Sequence, residues 1–322
     1  MVDFEIKTKQ LIDSLKGICA SYGLGNDGNE FKIITQVFLY KFLNDKFAFE
    51  LKKINKDVAN AGVKWEEAYI SLSDDDKDML RFELGAKTAF LNSEHLISTL
   101  FNRQNESDFA KLFDDTLRDI AKQNNDIFAV KTDGGTKITL FEQNGLSNFI
   151  SDESKRDSFC RAIINKLADF SFEQIFKEKF DFFATIFEYL IKDYNKDSGG
   201  KYAEYYTPHA VAKIMAAIMV KGDVKNVSCY DPSAGSGTLL MNIAHAIGED
   251  NCTIYSQDIS QKSSNLLRLN LILNNLVHSI SNIIQGNTML HPYFKDGNNL
   301  KKFDYIVSNP PFKMDFSDFR DD

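Results

Sequence analysis

Three stretches of the chain carry residue types whose spacing suits a nucleotide-like ligand. Tyr230-Asp231-Pro232-Ser233-Ala234-Gly235-Ser236-Gly237-Thr238 follows an apolar run and precedes helix-forming residues, so it reads as strand, tight Gly-rich turn and helix. Such a turn lets a ligand approach bare backbone at Gly235 and Gly237, while the amides of the helix start point at an arriving polar group. By itself the turn fits many ligands and singles out none. Tyr255-Ser256-Gln257-Asp258 ends a second apolar strand, and Asp258 lies 23 residues beyond Gly235. That is about the spacing at which an acidic residue accepts the two hydroxyls of a ribose. The third stretch, Phe303 onward, is a strand that ends in Asn309-Pro310-Pro311-Phe312. It cannot continue as sheet, because neither proline has an N–H to give.

The elements that position these stretches follow from periodicity. Past a break at Asn195-Lys196-Asp197-Ser198-Gly199-Gly200, the pattern alternates. It predicts a helix over 209–220 with Thr207 as N-cap and Pro208 at the first helical position. Strands are predicted over 224–230, 253–257, 282–285 and 303–308, with helices over 237–247 and 260–274 between the first three. Strands alternating with helices mean a mainly parallel sheet, which brings the three stretches to one crevice at the strands' carboxyl ends.

Ahead of the break, apolar residues recur at helical spacing over 4–22 and, more strongly, over 31–51 with Ile34, Val37, Phe38, Phe42 and Phe47. Phe-rich stripes of this kind are packing far more often than function. Further helices are predicted over 106–123, 151–168 and 172–194, while 131–149 fits a small hairpin or a loop equally well. Ser73-Asp74-Asp75-Asp76 reads as an N-cap with acidic residues in a first helical turn, not as a metal site, since it lacks an ion loop's glycine and distal glutamate. The domain division is therefore 1–198, helical, and 199–322, α/β.

At 322 residues the chain can bury a full core. No apolar run of about 18 residues occurs and the first residues open no signal peptide, which suits a cytoplasmic protein without a membrane span. Cys19, Cys160, Cys229 and Cys252 are scattered, with no C-x-x-C pair to suggest zinc, and are expected to be reduced and at least half buried. The net charge is -8, with 27 basic against 34 acidic residues in 1–200 and 11 against 12 in 201–322. Neither part has the basic surplus of a protein that grips nucleic acid unaided, so a DNA substrate would need a partner to hold it.

Taken together and in this order, Tyr205-Tyr206-Thr207-Pro208, Asp231 to Gly237, the acidic strand end and Asn309 to Phe312 resemble the amino-methylating, S-adenosylmethionine-dependent DNA methyltransferases. More narrowly the chain resembles the modification subunit of type I restriction-modification systems, a match that also draws on 38–47 and on Phe187-Glu188-Tyr189-Leu190-Ile191. The resemblance implies a helical N-terminal domain followed by a partial Rossmann-like methyltransferase sheet. It implies that Asp231, Ser233, Gly235, Ser236 and Gly237 hold the methionine part of the cofactor, with Glu204, Tyr205, Tyr206, Thr207 and Pro208 closing over it and Asp258 taking the ribose. It implies that Asn309 and the carbonyl of Pro310 accept from the exocyclic amine of a flipped adenine, beside Pro311, and that Phe312 stacks on the base. It also implies DNA, a DNA-specificity subunit, a second modification subunit and a restriction subunit as partners.

The chemistry stands without the family. An aromatic amine is a poor nucleophile because its lone pair is delocalised, and two acceptors draw it toward a tetrahedral geometry aligned with the methyl donor. Stacking on Phe312 offsets part of the cost of taking a base from the duplex. Methylation at carbon would call for a nucleophilic cysteine, usually in Pro-Cys, and no cysteine here follows a proline.

Two departures from the pattern stand out. Relatives commonly place an acid after the third strand, where this chain has Gly286-Asn287-Thr288; an uncharged Asn287 oxygen is left to accept from the cofactor's adenine. The chain also stops ten residues after Phe312, where relatives continue. The fourth strand is then expected to be a bare sheet edge, and the chain to bind cofactor but transfer little by itself. Two other readings are a protein-glutamine methyltransferase, which shares Asn-Pro-Pro-aromatic but which the long helical N-terminal part argues against, and a non-catalytic cofactor-binding scaffold.

Overall fold

The computed structural model describes residues 2–25, 28–173, 175–177, 186, 189–190 and 207–310. The chain divides into two compact units, Met1–Asn125 with Thr139–Phe182, and Asp126–Ile138 with Phe183–Asp322. The break expected at 195–200 and most of the helix expected over 172–194 lie outside the described residues.

The first unit is helical and is built on Gly28–Ile54. Apolar residues occupy so much of this helix that both faces are buried, which places it at the centre of the unit. Its buried polar groups are answered. Lys41 Nζ pairs with Asp45 Oδ1 at 2.9 Å, Asn44 Oδ1 accepts from Ile97 N at 3.0 Å and Asp45 Oδ2 from Phe172 N at 2.7 Å. The Phe172 ring meets Phe38 at 5.2 Å and Phe42 at 6.1 Å, so the Phe-rich stripe is core. Ser73 caps Asp74–Leu84 by accepting from Asp76 N at 3.2 Å, as its acidic first turn predicts.

The second unit holds the sheet. Its strands are β1 (Val130–Thr132), β2 (Lys137–Ile138), β3 (Val227–Asp231), β4 (Cys252–Asp258), β5 (Ile283–Gln285) and β8 (Tyr305–Ile306), in the order β2-β1-β5-β4-β3-β8. A separate hairpin pairs β6 (Lys295–Asp296) with β7 (Asn299–Leu300). β1, β5, β4, β3 and β8 run parallel, as the alternation of strands and helices requires; only β2 is antiparallel. The helices Thr238–Ile247 and Gln261–Leu273 make the crossovers. Tyr230 and Tyr255, partners in register, share one sheet face with Phe294 and Phe303, the Tyr230 ring stacking on Phe303 at 4.5 Å. The opposite face carries buried Cys229 and Ile254. All four cysteines are free and buried.

Residues 131–149, open between hairpin and loop on sequence grounds, begin as a hairpin, and that hairpin belongs to the sheet. β1 pairs with β5 through Lys131↔Ile284 and Thr132↔Gln285. Arg268, buried in the Gln261–Leu273 helix, holds it there: Nη1 donates to Phe128 O at 3.2 Å and Ile138 O at 3.0 Å, and Nη2 to Asn265 Oδ1 at 2.9 Å. No helix among the described residues is long and apolar enough to cross a membrane.

Candidate active site

The carboxyl ends of β3, β4, β5 and β8 form one rim of the sheet, and the described candidate residues 231–237, 258, 287 and 309–310 follow or end these four strands. After β3 the chain turns through Gly235 (φ 55°) and Gly237 (φ 82°), a left-handed conformation costly for other residues. At Gly237 a side chain would also strike Leu267, whose atoms stand where its Cβ would be. Gly237 N donates to Ala234 O at 2.8 Å and then caps the Thr238–Ile247 helix. Asn270 Nδ2 holds the turn from below through Ser236 O at 3.1 Å.

Asp258, at the end of β4, reaches this turn. Its Oδ2 accepts from Gly235 N at 2.9 Å and its Oδ1 from Ser260 N at 2.8 Å. These two amides, with the Ser263 hydroxyl beside them, leave acceptor capacity on the carboxylate for a ligand hydroxyl. Asp231, at the end of β3, is 1% exposed and accepts from Ser233 N at 2.9 Å. Burial pushes its carboxyl up to about 7, with the Asp258 charge adding to the rise and the Ser233 N–H and Ser308 hydroxyl opposing it. Burial likewise raises Asp258 against the Ser260 and Gly235 amides. Among the described residues no cation offsets either carboxylate. A buried, uncompensated acid beside a Gly-rich turn fits a ligand that brings an ammonium group, such as a methionine tail.

After β5, Asn287 Oδ1 accepts from Met289 N at 2.9 Å and Leu290 N at 3.2 Å, so the oxygen expected to serve the adenine is committed to its own turn. Thr288 Oγ1 donates to Pro232 O at 2.7 Å and ties this loop to the Gly-rich turn. After β8, Ser308 Oγ meets Ser233 Oγ at 2.7 Å. Asn309, exposed, donates from Nδ2 to Thr207 Oγ1 at 3.2 Å, and its Oδ1 has no partner among the described residues.

One expectation needs correction. Thr207 does not cap the His209–Met219 helix; Pro208 is the cap, with φ -53° and ψ 130°, and no side chain serves the helix start. The extended ψ keeps Pro208 out of the first helical turn, and the Thr207 hydroxyl accepts from Asn309 instead. Thr288 and Ser308 were not foreseen as parts of the rim, although each adjoins a residue that was. Glu204, Tyr205, Tyr206, Pro311 and Phe312 lie outside the described residues.

A parallel sheet carrying a Gly-rich turn after one strand, an acid at the end of the next and an Asn-Pro beyond the fourth defines a Rossmann-like methyltransferase fold. Residues 178–322 match the model of the N-6 DNA Methylase family. Over nearly all of its length the chain is similar to type I restriction enzyme methylase subunits. It is 25% identical over 338 aligned positions to the MpnII subunit of Mycoplasma pneumoniae, covering 97% of this chain and 58% of that one. It is 28% identical over 156 positions to the MjaIX subunit of Methanocaldococcus jannaschii, covering 47% and 26%. A type I restriction-modification methyltransferase subunit from Streptococcus thermophilus has the same fold, with a TM-score of 0.75 at 20% identity over 95% of this chain and 63% of that one. The chain thus spans about three-fifths of the length of the relatives it matches end to end.

Proposed function

We propose that the chain works as the modifying subunit of a type I restriction-modification assembly, binding S-adenosylmethionine and directing its methyl group to the N6 amine of a flipped adenine. The observation that carries this reading is the meeting of Asp231, Asp258 and the Gly-rich turn on the same rim as Asn309, with the Asn309 amide held by Thr207 and its oxygen left over. When bound, S-adenosylmethionine supplies an electrophilic methyl on a sulfonium. Asp231 would hold the ammonium of the methionine tail, the Gly235 to Gly237 turn would admit that tail to its backbone, and Asp258 would accept from the ribose hydroxyls. Because Nδ2 of Asn309 is engaged, Oδ1 is the atom presented to an incoming amine, where it accepts a hydrogen and raises the lone-pair density on nitrogen.

The long helical unit and the relatives named above favour this over a protein-glutamine substrate. We assign the first unit to docking DNA and partner subunits, since its Phe-rich helices are spent on packing. The acidic balance leaves DNA capture to a specificity subunit. A tritiated-methyl assay on unmethylated DNA tests the whole reading. Label is expected when the complete assembly, with its specificity subunit, is present and little from the isolated chain; an assembly that binds DNA yet leaves adenine unlabelled would refute the proposal.

Two further outcomes are expected at the cofactor site. Asp258→Ala should weaken S-adenosylmethionine binding by about 1 to 3 kcal/mol, the usual cost of losing hydrogen bonds to a charged group. Unchanged affinity by calorimetry would remove Asp258 from the site. Affinity should also depend on pH through Asp231. Its folded carboxyl sits at about 7, above its ordinary value, so the group disfavours the native state increasingly as pH rises from about 4 to 7. A ligand ammonium favours the ionised form, so binding should expel a proton below pH 7 and weaken as pH falls through that value. Calorimetry at pH 6 in buffers of differing ionisation heat should detect this release in the wild type and lose it in Asp231→Asn.

A further inference from the structure

An adenine ring presents an exocyclic amine donor, and a pocket that selects it must offer an acceptor. An adenosine whose ribose is held at Asp258 lays its base across the end of β5, because the β3 side is taken by the Gly-rich turn. The polar side chains of that strand end offer no charged acceptor, only the uncharged Gln285 Oε1. Asn287 Oδ1 serves the Met289 and Leu290 amides, and the Gln285 amide nitrogen is tied to Ile259 O at 2.8 Å.

The next parallel strand supplies what is missing. Asp133 is the first residue after β1, and its N–H donates to Gln285 O at 2.9 Å, carrying the pairing one step beyond the strand and setting Asp133 beside Gly286. Its carboxylate lies across the glycine: a Cβ at position 286 would come within 2.5 Å of Asp133 Oδ2 and 2.7 Å of Asp133 Cβ. Only a glycine at 286 leaves that space. Asp133 is exposed, and among the described residues nothing hydrogen-bonds to its side chain. The turn behind it does not use the carboxylate, being closed by Gly135 N to Thr132 O at 3.0 Å and Thr136 N to Thr132 Oγ1 at 2.9 Å. β1 and β4 flank β5, so their ends stand about 10 Å apart, comparable with the reach of an adenosine from ribose hydroxyl to amine.

We infer that Asp133 is the acceptor for the adenine amine of the cofactor and sets the preference for adenosyl over 6-oxo ligands. The inference rests on the cofactor reading above and adds a residue from the hairpin to that site.

The test compares S-adenosylhomocysteine with S-inosylhomocysteine, whose 6-oxo group turns the donor into an acceptor, by calorimetry on the chain. The wild type should bind the adenosyl ligand about 30-fold or more tightly than the inosyl one, the scale of one hydrogen bond to a charged group set against lone-pair repulsion. In Asp133→Asn, whose amide can donate to the 6-oxo group, the preference should fall to within about threefold at an unchanged melting temperature. Gly286→Ala, which displaces the carboxylate, should lower adenosyl affinity in the same direction. Asp258→Ala should weaken both ligands in parallel and keep the preference. If Asp133→Asn retained the full preference, Asp133 would be overturned and the cofactor site would stand. If the wild type bound neither ligand, the cofactor reading would fall and the Asp133 assignment with it.

Discussion

Replacing Asn309 by alanine in the complete assembly is expected to cut methyl transfer about a thousandfold while leaving S-adenosylmethionine affinity at its wild-type value. Asn309 stands beyond β8, whereas the groups assigned to the cofactor end or follow β1, β3 and β4. Its amide nitrogen is held by Thr207, so truncation removes an acceptor that is already oriented rather than one that must be ordered on binding. The loss should therefore appear in kcat and not in cofactor binding. Thr207→Val should have a smaller effect of the same kind, since it frees the amide to rotate but keeps it in place. Turnover within tenfold of wild type by the Asn309 variant would show that the reacting amine is held elsewhere.

Arg268→Ala is expected to destabilise the second unit by about 3 to 5 kcal/mol. The guanidinium is buried and donates to Phe128 O and Ile138 O, which lie at the two ends of the hairpin segment. Removing it leaves two carbonyls without that donor, each costing about 1 to 3 kcal/mol, together with a cavity the length of the side chain. Lysine should rescue little, because a single ammonium does not reproduce the planar fork that serves both carbonyls. Denaturant unfolding checks this through the midpoint. A shift of under 1 kcal/mol would mean that the hairpin is held by its pairing with β5 alone.

Much of the rim was legible in the sequence because its signals are local. The prolines of Asn309-Pro310-Pro311 and the glycines of the turn restrict the backbone wherever they stand, and the apolar runs before Asp231 and Asp258 are strands by period and length. The hairpin was not legible as part of the sheet. β1 and β2 are short, carry Lys131, Thr132 and Lys137, and owe their place to a partner strand far along the chain, so no window of sequence contains the reason for it. The displaced helix cap is a smaller case. Thr207 before Pro208 has the composition of a cap, but its hydroxyl answers an amide from the far end of the unit, and local pattern cannot weigh that competition. Asn287 shows the converse, since its type suited a ligand contact while its oxygen was spent on the turn that follows.

The hairpin also orders events in time. During synthesis residues 126–138 emerge long before β5, so β1 waits with an unpaired edge while the intervening chain is made. An apolar strand in that position would invite association with other nascent chains, whereas the lysines flanking the turn keep the waiting ribbon hydrated. The same weave means that the sheet cannot be excised as one continuous piece. A fragment beginning near residue 199 would expose the edge of β5 and lose the acceptors that Arg268 serves. Restoring the fragment would require supplying 126–138 in trans, as a peptide that adds itself to the sheet by strand complementation.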